Sequence, residues 1–589
     1  MAKLRTHTCD ELRMEHVGQT VTIAGWYDNM RKISKNLGFL VLRDFYGTTQ
    51  VVVETEDMMS IIDSVNKEST VQVEGVVRER SSKNDAMATG EIEVVPTNIV
   101  ILGKCEHNAL PFEVRSSREA DENIRLKYRY LDLRNPVVKD KIVLRSQVVA
   151  DLRRRMTDMN FMEITTPILT CSSPEGARDY LVPARNHPGK FYALPQAPQQ
   201  FKQILMASGF DRYFQVAPCF RDEDARADRS PGEFYQLDME MAFASQEDVF
   251  EVIETLLPPV FEKFGAYDIA STAPFVRIPY LESLEKYGSD KPDLRIDLEV
   301  MNVTELLGTC GFGPFEGNIV KAVVTDGYTA TRKEIDKMCA DIEVETANKV
   351  FWFRVDENGA FVGGISKFLV DKCEEIKKAM NLKNGDFIGV VAGDKLAAQK
   401  TSGVLRRVLG MASEGHFNKE RYEFCWIVDF PMYEMGEESG ALEFCHNPFS
   451  MPQGGSEALE TMEPLDILAY QYDLVCNGVE LSSGAVRNHN PEVMIKAFNL
   501  VGLGEEDVKE KFPAMYNAFT YGAPPHAGIA PGVDRMVMLL AGEDSIREII
   551  PFPMNKQAQD IMMAAPAQVD ERQLKDVHIR IELPAKEEK

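Results

Sequence analysis

The sequence predicts a multidomain α+β protein that begins with a small β-barrel. Its 589 residues allow roughly three to five domains of ordinary size. A hydrophobic content of 44% is typical of soluble globular proteins and is sufficient for several cores. Five β-like segments follow one another near the N-terminus, and two later strands of alternating character flank a charged loop.

The N-terminal segments predict the order of strands in the barrel. The β-like segments are residues 21–26, 39–45, 49–54, 71–77 and 91–102, with helical character around residues 58–65. Five strands with a helix between the third and the fourth have the order of an OB-fold, a barrel that binds oligonucleotides on one face. Periodicity alone would support only a small β-barrel.

The formal net charge of −26 argues at first against a nucleic-acid partner, because Lys and Arg supply much of the affinity for phosphates. The distribution of charge is more informative than its sum. Arg31, Lys32 and Lys35 are expected in one N-terminal loop, and four basic residues fall within 125–134. Each cluster is equally compatible with a nucleic-acid contact and with a solvated face.

No apolar run approaches the roughly 20 residues that a bilayer span requires, and residues 1–8 lack the apolar stretch of a secretory signal. We therefore expect a cytoplasmic location.

The ten cysteines are scattered without a Cys-x-x-Cys pair, which predicts reduced thiols and no zinc site. Cys445 next to His446 is the one pair that could suggest a nucleophilic thiol.

Two arginine-bearing segments predict a site for a nucleotide triphosphate. Residues 220–223 (FRDE) open the charged loop that runs on to Phe234, and residues 532–535 (GVDR) open an apolar helix. A guanidinium is always charged and presents a rigid fork of donors that suits phosphate oxygens. Arg221 and Arg535 could therefore hold the two ends of a triphosphate chain.

These two segments are similar to motifs two and three of the class II aminoacyl-tRNA synthetases. Residues 161–167 (FMEITTP) resemble motif one, which lies at the dimer interface in that family. Four further strings resemble bacterial-type aspartyl-tRNA synthetases: residues 126–134 (LKYRYLDLR), 174–180 (PEGARDY), 192–196 (YALPQ) and 288–293 (GSDKPD). The resemblance covers almost the whole chain and implies a homodimer.

The resemblance implies a class II antiparallel catalytic sheet with an inserted α/β domain of the GAD type. The implied parts are an OB-fold anticodon-binding domain, a hinge, the first catalytic part, the insertion, the second catalytic part and a C-terminal extension: residues 1–107, 108–135, 136–290, 291–424, 425–558 and 559–589. The sequence assigns no chemical role to the insertion. Its segment 393–395 (GDK) is predicted to be a turn, because the phosphate-loop pattern is absent.

The resemblance also implies ATP-dependent activation of L-aspartate, followed by transfer to the 3′ end of tRNA(Asp). Arg221 would bind the α-phosphate and Arg535 the γ-phosphate, and both are implied to be catalytic together with Glu480. Magnesium would be held at Asp473 and Glu480, since hard oxygen ligands suit it. The full set implied to bind ATP is Arg221, Asp222, Glu223, Phe234, Glu480, Gly532, Val533, Asp534 and Arg535.

Two of these ATP residues are implied to hold the base. Glu223 would face the adenine amino group, and Phe234 would stack on the ring. A core position in its strand is the alternative for Phe234, and surface positions are the alternatives for the two acids Asp473 and Glu480.

Specificity for aspartate requires cations for a second carboxylate. Lys202 and Arg487 match the family residues that bind it, and Asp238 would orient Lys202. His446 would cap the substrate from a mobile loop, and its charge could change near neutrality. The full set implied to bind aspartate is Glu175, Gln199, Lys202, Arg221, Asp238, His446 and Arg487. Taken singly, each would more often be a structural or surface group.

The barrel is implied to read the anticodon. Phe39 and Gln50 match the stacking aromatic and the glutamine of the family, and Arg31 lies in the neighbouring basic cluster. Core packing is the alternative for Phe39. A difference between charging tRNA(Asp) alone and charging tRNA(Asn) as well is expected to depend on residues 31–36 and 81–85.

Three positions depart from the commonest family pattern: Ala197, Gly232 and Asn447. The first and last could change the affinity for aspartate, and Gly232 lengthens the loop of motif two. An asparaginyl- or lysyl-tRNA synthetase is one alternative, although the insertion and residues 174–180 argue against it. A non-catalytic tRNA-binding relative is another, although the retained Arg221, Glu480 and Arg535 argue against that.

Overall fold

The computed structural model describes residues 4–172, 177–436 and 439–583. The chain divides into two compact units, of which the first ends at Ser117 and the second begins at Arg118. Within these described ranges, no helix is both long and apolar enough to cross a membrane.

The first unit contains a closed five-stranded barrel. Its elements are β1 (Thr20–Lys32), β2 (Gly38–Arg43), β3 (Thr48–Val53), α1 (Glu56–Asp63), β4 (Thr70–Glu79) and β5 (Ile92–Gly103). Their order around the barrel is β1-β2-β3-β5-β4. Alternate residues such as Leu40, Leu42, Val51 and Val53 fill the interior, because successive side chains of a strand point to opposite faces.

The barrel differs from the sequence prediction in its first strand. We expected this strand to end near residue 26 and the basic residues after it to form a loop, but β1 continues to Lys32. Arg31 pairs with Phe39, and Lys32 pairs with Gly38. The polar run after Trp26 hides the strand in the sequence, and a register shift between Tyr27 and Asn29 accompanies it.

The second unit begins with the helices and strands that flank motifs one and two. They are α2 (Glu122–Lys127), α3 (Arg129–Asp132), α4 (Pro136–Asp158), β6 (Met162–Glu163), β7 (Leu181–Pro183), β8 (Phe191–Ala193), α5 (Gln199–Ala207), β9 (Arg212–Arg221), β10 (Gly232–Ala242), α6 (Gln246–Phe264), β11 (Asp268–Ile269), β12 (Val276–Pro279) and α7 (Tyr280–Tyr287).

The middle of this unit forms a separate five-stranded sheet with helices. The elements are β13 (Val300–Asn302), α8 (Thr304–Leu307), β14 (Ile319–Thr325), α9 (Arg332–Thr346), β15 (Val350–Val355), β16 (Phe361–Val362), α10 (Cys373–Ala379), β17 (Phe387–Gly393) and α11 (Lys395–Ala412). The sheet has the order β13-β14-β17-β15-β16, and all of its pairings are antiparallel. It is therefore an α+β arrangement, whereas the sequence suggested α/β.

The chain then returns to the larger sheet. The remaining elements are β18 (Arg421–Tyr422), β19 (Phe424–Pro431), β20 (Tyr433–Met435), β21 (Leu442–Phe444), α12 (Gly455–Thr461), β22 (Leu468–Cys476), β23 (Val479–Val486), α13 (Pro491–Leu500), α14 (Glu505–Lys511), α15 (Pro513–Thr520), β24 (His526–Ile529), α16 (Val533–Leu540) and α17 (Glu571–Asp576).

The larger sheet has eight strands in the order β12-β19-β22-β23-β24-β10-β9-β6. The six central strands are antiparallel, as the sequence predicted, but β12 and β6 pair in parallel with β19 and β9 at the two edges. The sheet is therefore mixed.

The two faces of the larger sheet have different roles. On β10, Leu237, Met239 and Met241 point into the main core, where they join residues of α4, α6 and α16. Asp238 and Glu240 alternate with them and therefore point to the opposite face. This opposite face carries the candidate site.

In the smaller sheet region, the imidazole of His416 contacts two carboxylates, those of Asp297 and Asp326. Nδ1 of His416 lies 2.7 Å from Oδ1 of Asp297, and Nε2 lies 2.5 Å from Oδ1 of Asp326. Partial burial lowers the pKa of His416, but the two carboxylates outweigh it, so that the pKa is raised above its usual value.

The raised pKa of His416 predicts a pH-dependent contribution to stability. The ion pairs should contribute fully below about pH 6.5, the ordinary imidazole pKa, and should be lost as the pH rises through the higher folded-state value. We expect His416→Gln to lower the free energy of unfolding by about 0.5 kcal/mol at pH 6, the size usual for solvent-screened pairs, and by almost nothing at pH 9.

Denaturant titrations at the two pH values measure this difference. His578→Gln, at an exposed position, is the control and should change stability little at either pH. A loss for His416→Gln that grows with pH would contradict the assignment.

Candidate active site

Four buried charges form the centre of the site. Nζ of Lys202 donates to Oδ1 of Asp238 at 2.6 Å and lies 3.5 Å from Oε2 of Glu240. Arg487 holds Glu240 with two hydrogen bonds, from Nε at 2.8 Å and from a terminal nitrogen at 3.1 Å. All four side chains are at most 2% exposed. Ionic groups this deeply buried persist only when paired.

Secondary structure brings the four charges together. Lys202 belongs to a stripe on α5, with Gln199, Gln203 and Met206, that is buried at helical spacing. Asp238 and Glu240 are two residues apart on β10, and Arg487 follows the last residue of β23.

The two carboxyl groups of this cluster have opposite pKa shifts. Complete burial raises the pKa of Asp238 more than Lys202 lowers it. Burial also acts on Glu240, but Arg487 and Lys202 together hold the pKa of that carboxyl below its usual value. Glu240 is therefore ionised at neutral pH.

A glycine gives the Glu240 carboxylate its space. Gly528 pairs with Glu240 across β24 and β10. A Cβ atom at Gly528 would lie 2.0 Å from Oε2 of Glu240 and 2.2 Å from the carbonyl oxygen of Met239. Only glycine fits there without displacing the acid.

The cluster opens into a cavity of about 580 Å³ that also contains both predicted phosphate ligands. The guanidinium of Arg221 lies 5.0 Å from the ring centroid of Phe234, so the two side chains stack on the cavity wall. Glu223 also lines the cavity, where Arg229 holds it at 2.7 Å.

Arg535 lies at another part of the cavity wall between two acidic residues. It donates to the carbonyl oxygen of Glu480 at 2.7 Å, lies 3.6 Å from that residue's carboxylate, and lies 3.2 Å from the carboxylate of Asp228. Gly532 precedes it, and the amide of Gly532 donates to Leu481 O at 2.7 Å, which ties the start of α16 to β23.

Asp534 fixes the same helix start. Its carboxylate accepts hydrogen bonds from Arg145 at 2.9 and 3.2 Å and from the amide of Tyr235 at 3.0 Å. Asp534 therefore holds α16 against α4 and β10, and both of its oxygens are engaged.

The two predicted metal ligands lie on neighbouring strands. Asp473 on β22 is buried, and its Oδ1 has no hydrogen-bond partner among the described residues. Burial and the nearby carboxylate of Glu480 raise the pKa of Asp473 well above its usual value. Glu480 itself lies 3.1 Å from Nζ of Lys291. Glu480 thus has a cationic partner, whereas Oδ1 of Asp473 has no partner among the described residues.

His446 and Gln199 complete the cavity wall. His446 is exposed at the cavity, but the protein atoms packed around the ring still cost the imidazole part of its hydration, and this lowers its pKa despite the opposing effects of Asp290 and Glu480. We expected a group that titrates near neutrality, but the imidazole is neutral at pH 7. Nε2 of Gln199 is buried without a hydrogen-bond partner in the described structure. Burial raises the pKa of Cys445 to about 12, which does not suit a nucleophile.

Three predicted active-site residues with described positions do not line the cavity: Asp222, Asp473 and Val533. Asp222 is exposed, and its backbone pairs with Arg178. Val533 is fully buried in the main core, so its side chain does not reach the cavity, because the first turn of α16 turns it towards the sheet. Glu175 lies outside the described residues.

Of the three departures from the family pattern, Ala197 and Asn447 line the cavity. Gly232 opens β10 opposite Arg221 with φ of 84°, a left-handed conformation that glycine adopts readily.

The three residues predicted to bind the anticodon share the outer face of the barrel in the first unit. The guanidinium of Arg31 lies 4.9 Å from the Phe39 ring centroid, so Phe39 is not a core residue. Gln50 is buried and donates to Glu93 at 3.0 Å, and Glu93 also accepts from Arg78 at 2.8 Å. Gln50 is therefore anchored in a polar network.

Comparison with known proteins identifies the family. Residues 121–556 match the model of class II tRNA synthetases (D, K and N), and residues 21–102 match that of the OB-fold nucleic acid binding domain. The chain belongs to the class II tRNA synthetases. The predicted fold, an OB-fold barrel followed by a class II catalytic sheet, is confirmed.

Curated relatives of this synthetase match over nearly their whole length. An aspartate–tRNA ligase from Streptomyces avermitilis is 51% identical over 99% of this chain and 100% of its own. An aspartate–tRNA(Asp/Asn) ligase from Zymomonas mobilis is also 51% identical, over 99% of this chain and 98% of its own. The predicted resemblance to bacterial-type aspartyl-tRNA synthetases is confirmed.

Solved structures share the fold of this synthetase. An aspartyl-tRNA synthetase from Entamoeba histolytica has a TM-score of 0.56 at 20% identity, covering 93% of this chain and 91% of its own. An asparaginyl-tRNA synthetase from Pyrococcus horikoshii, complexed with asparaginyl-adenylate, has a TM-score of 0.57 at 17% identity, covering 94% and 98%.

Sequence reasoning missed several charged residues in and beside the synthetase cavity, among them Asp228, the partner of Arg535. Glu240 is the partner of Arg487, and its position two residues after Asp238 could have placed it on the same face of the strand. Lys291 lies within the string 288–293, which was read only as a family signature. Arg229 gave no sequence signal that separates it from the other charges of its loop.

The space beside Glu240 predicts the effect of enlarging Gly528. We expect Gly528→Ala to lower the free energy of unfolding by about 2 kcal/mol, because the added methyl overpacks the buried charge cluster. Chemical denaturation followed by tryptophan fluorescence measures the loss. Gly313→Ala is the matched control, since nothing lies within 4 Å of its added Cβ atom. Equal stabilities of the two variants would contradict this role of Gly528.

Proposed function

We propose that this synthetase is an aspartate–tRNA ligase, which joins L-aspartate to the 3′ end of tRNA(Asp) with the use of ATP. The observation that carries the proposal is the buried cluster of Lys202, Asp238, Glu240 and Arg487 at the cavity. Lys202 and Arg487 supply donors for a second carboxylate. Asparagine would lack the charge that they attract, and the ammonium of lysine would be repelled.

The first step joins aspartate to the nucleotide. The α-carboxylate attacks the α-phosphorus of ATP, a bond to AMP forms, and pyrophosphate leaves. Arg221 binds the α-phosphate, where negative charge is crowded as the attack proceeds, and Phe234 stacks on the adenine ring.

Arg535 binds the far end of the triphosphate. Its two acidic neighbours, Asp228 and Glu480, orient the guanidinium at the cavity wall. Two further polar residues hold the amino acid. Gln199 offers an amide nitrogen that has no partner among the described residues, and His446 offers an imidazole whose lowered pKa favours the neutral form. Glu175 stays a prediction as a ligand of the substrate amino group.

The acidic pair fits a magnesium ion. Asp473 and Glu480 are oxygen ligands of the kind that this ion prefers, and a cation would satisfy the buried Oδ1 of Asp473. Magnesium would neutralise phosphate charge when it is bound there.

The second step transfers aspartate to tRNA. The terminal 3′-hydroxyl attacks the activated carbonyl carbon, AMP leaves, and the adenylate phosphate accepts the hydroxyl proton. The outer face of the barrel, with Arg31 and Phe39 stacked on it, reads the anticodon together with Gln50. The domain boundaries, the homodimer formed through motif one and the cytoplasmic location stay predictions.

A dual specificity for tRNA is the second candidate function. It is favoured by the Zymomonas mobilis relative, named as an aspartate–tRNA(Asp/Asn) ligase, which is as similar to this chain as the Streptomyces avermitilis enzyme.

Aminoacylation with radiolabelled aspartate tests both candidates. The chain should charge tRNA(Asp) transcripts, and Arg535→Ala should reduce the rate about 100-fold, equivalent to about 3 kcal/mol of transition-state stabilisation. Arg332→Ala is the control, because Arg332 is 83% exposed on α9 of the smaller sheet region.

Charging of tRNA(Asn) at a comparable rate would establish the dual form, and its absence the discriminating form. No charging of either tRNA, with the variant equal to the parent, would overturn the proposal in favour of a tRNA-binding relative.

A further inference from the structure

Lys291 lies in the cavity beside Glu480, one of the two proposed metal ligands. Its Nζ is 3.1 Å from Oε2 of Glu480 and 3.6 Å from the carboxylate of Asp290. The side chain lines the same cavity as Arg221 and Arg535, and it is 40% exposed. An ammonium on this wall contacts a group that the proposed cation would also need.

The backbone that carries Lys291 is fixed. The amide of Lys291 donates to Oγ of Ser289 at 3.0 Å, and the carbonyl of Ser289 accepts from Oγ of Ser283 at 2.7 Å. Gly288 adopts φ of 67° and packs against Gly403 of α11, where a Cβ atom would lie 2.4 Å from the amide nitrogen. The flexible lysine stem can therefore change partners while its backbone stays in place.

Glu480 is the partner of two cations. Arg535 is held additionally by Asp228 and by the carbonyl oxygen of Glu480, so it has partners that do not depend on the Glu480 carboxylate. The other partner of Lys291 is the partly exposed Asp290.

A divalent cation bound to Glu480 would repel both side chains. Two unit charges 4 Å apart interact by about 4 kcal/mol near a protein surface. Lys291 is the more mobile cation and would be the one to leave. The nearest new anions in the filled cavity would be the phosphate oxygens of ATP.

We propose that Lys291 is an exchangeable counter-ion of the nucleotide site. It neutralises Glu480 in the ATP-free enzyme, and it moves to the polyphosphate of ATP when a divalent cation takes Glu480. The proposal rests on the proposed function of Asp473 and Glu480 as cation ligands. Lys291 therefore adds affinity for the nucleotide and opposes the binding of a free cation.

Two binding measurements without turnover test this role. One is calorimetric titration with an ATP analogue that has a methylene group between the α- and β-phosphorus atoms, at saturating magnesium. The other is Mn²⁺ titration without nucleotide, followed by electron paramagnetic resonance. The proteins are the full-length parent, Lys291→Met, Lys291→Arg, Glu480→Gln and the control Lys286→Met, whose lysine pairs with Glu282 on the exposed side of α7.

Lys291→Met should bind the analogue about tenfold more weakly, equivalent to about 1.4 kcal/mol, and Mn²⁺ about fivefold more tightly. Lys291→Arg should retain the parent's behaviour within about threefold, because it keeps the charge. Lys286→Met should match the parent in both titrations. Unchanged binding by Lys291→Met, or weakening of both ligands together, would overturn the counter-ion role.

Glu480→Gln separates this inference from the proposed cation site. Loss of Mn²⁺ binding in Glu480→Gln with no effect of Lys291→Met would overturn the role of the lysine alone. Mn²⁺ binding that Glu480→Gln leaves unchanged would overturn the cation site and the exchange of Lys291 with it.

Discussion

The buried charge cluster of Lys202, Asp238, Glu240 and Arg487 is the constraint on which the rest of the catalytic unit depends. Removing one partner of a buried ion pair commonly costs about 3 to 5 kcal/mol, because the remaining charge is left without compensation. The helix and the strands that carry these four residues must therefore place each charged group within hydrogen-bonding distance of its partner. The alternation of β10 turns both acids away from the core, and Gly528 leaves the space that the Glu240 carboxylate fills.

A second set of charged residues lines the part of the cavity that we propose binds ATP. Arg221, Arg535 and Lys291 rest on an aromatic ring or on carboxylates rather than deep in the core. Their partners are ones that phosphate oxygens could replace, whereas the partners of Lys202 and Arg487 are rigid parts of the sheet. The site thus combines a fixed part that selects the amino acid with an adaptable part that accommodates the triphosphate.

The sequence predicted more of the fold than of the side-chain geometry. Strand alternation placed the barrel and the strands of motif two, and motif context placed Lys202, Asp238 and Arg487. The sequence could not reveal that β1 continues to Lys32. The end of this strand is held by backbone pairing with β2 and shows no alternation of hydrophobic and polar residues. The sequence also could not predict which charged residues pair with each other. Glu240 and Arg487, for example, are 247 positions apart in the chain. The lowered pKa of His446 depends on neighbours that only the folded chain brings around its ring.

The central claim is that the buried cations select a second carboxylate. Pyrophosphate exchange into ATP, measured with aspartate and with asparagine on the same enzyme preparation, tests it most directly, because the ratio does not depend on the folded fraction. The parent should favour aspartate by at least about 1000-fold, and Lys202→Met should reduce this preference about 100-fold by slowing the reaction of aspartate alone. An undiminished preference in Lys202→Met, or a parent that activates both amino acids equally, would contradict the account.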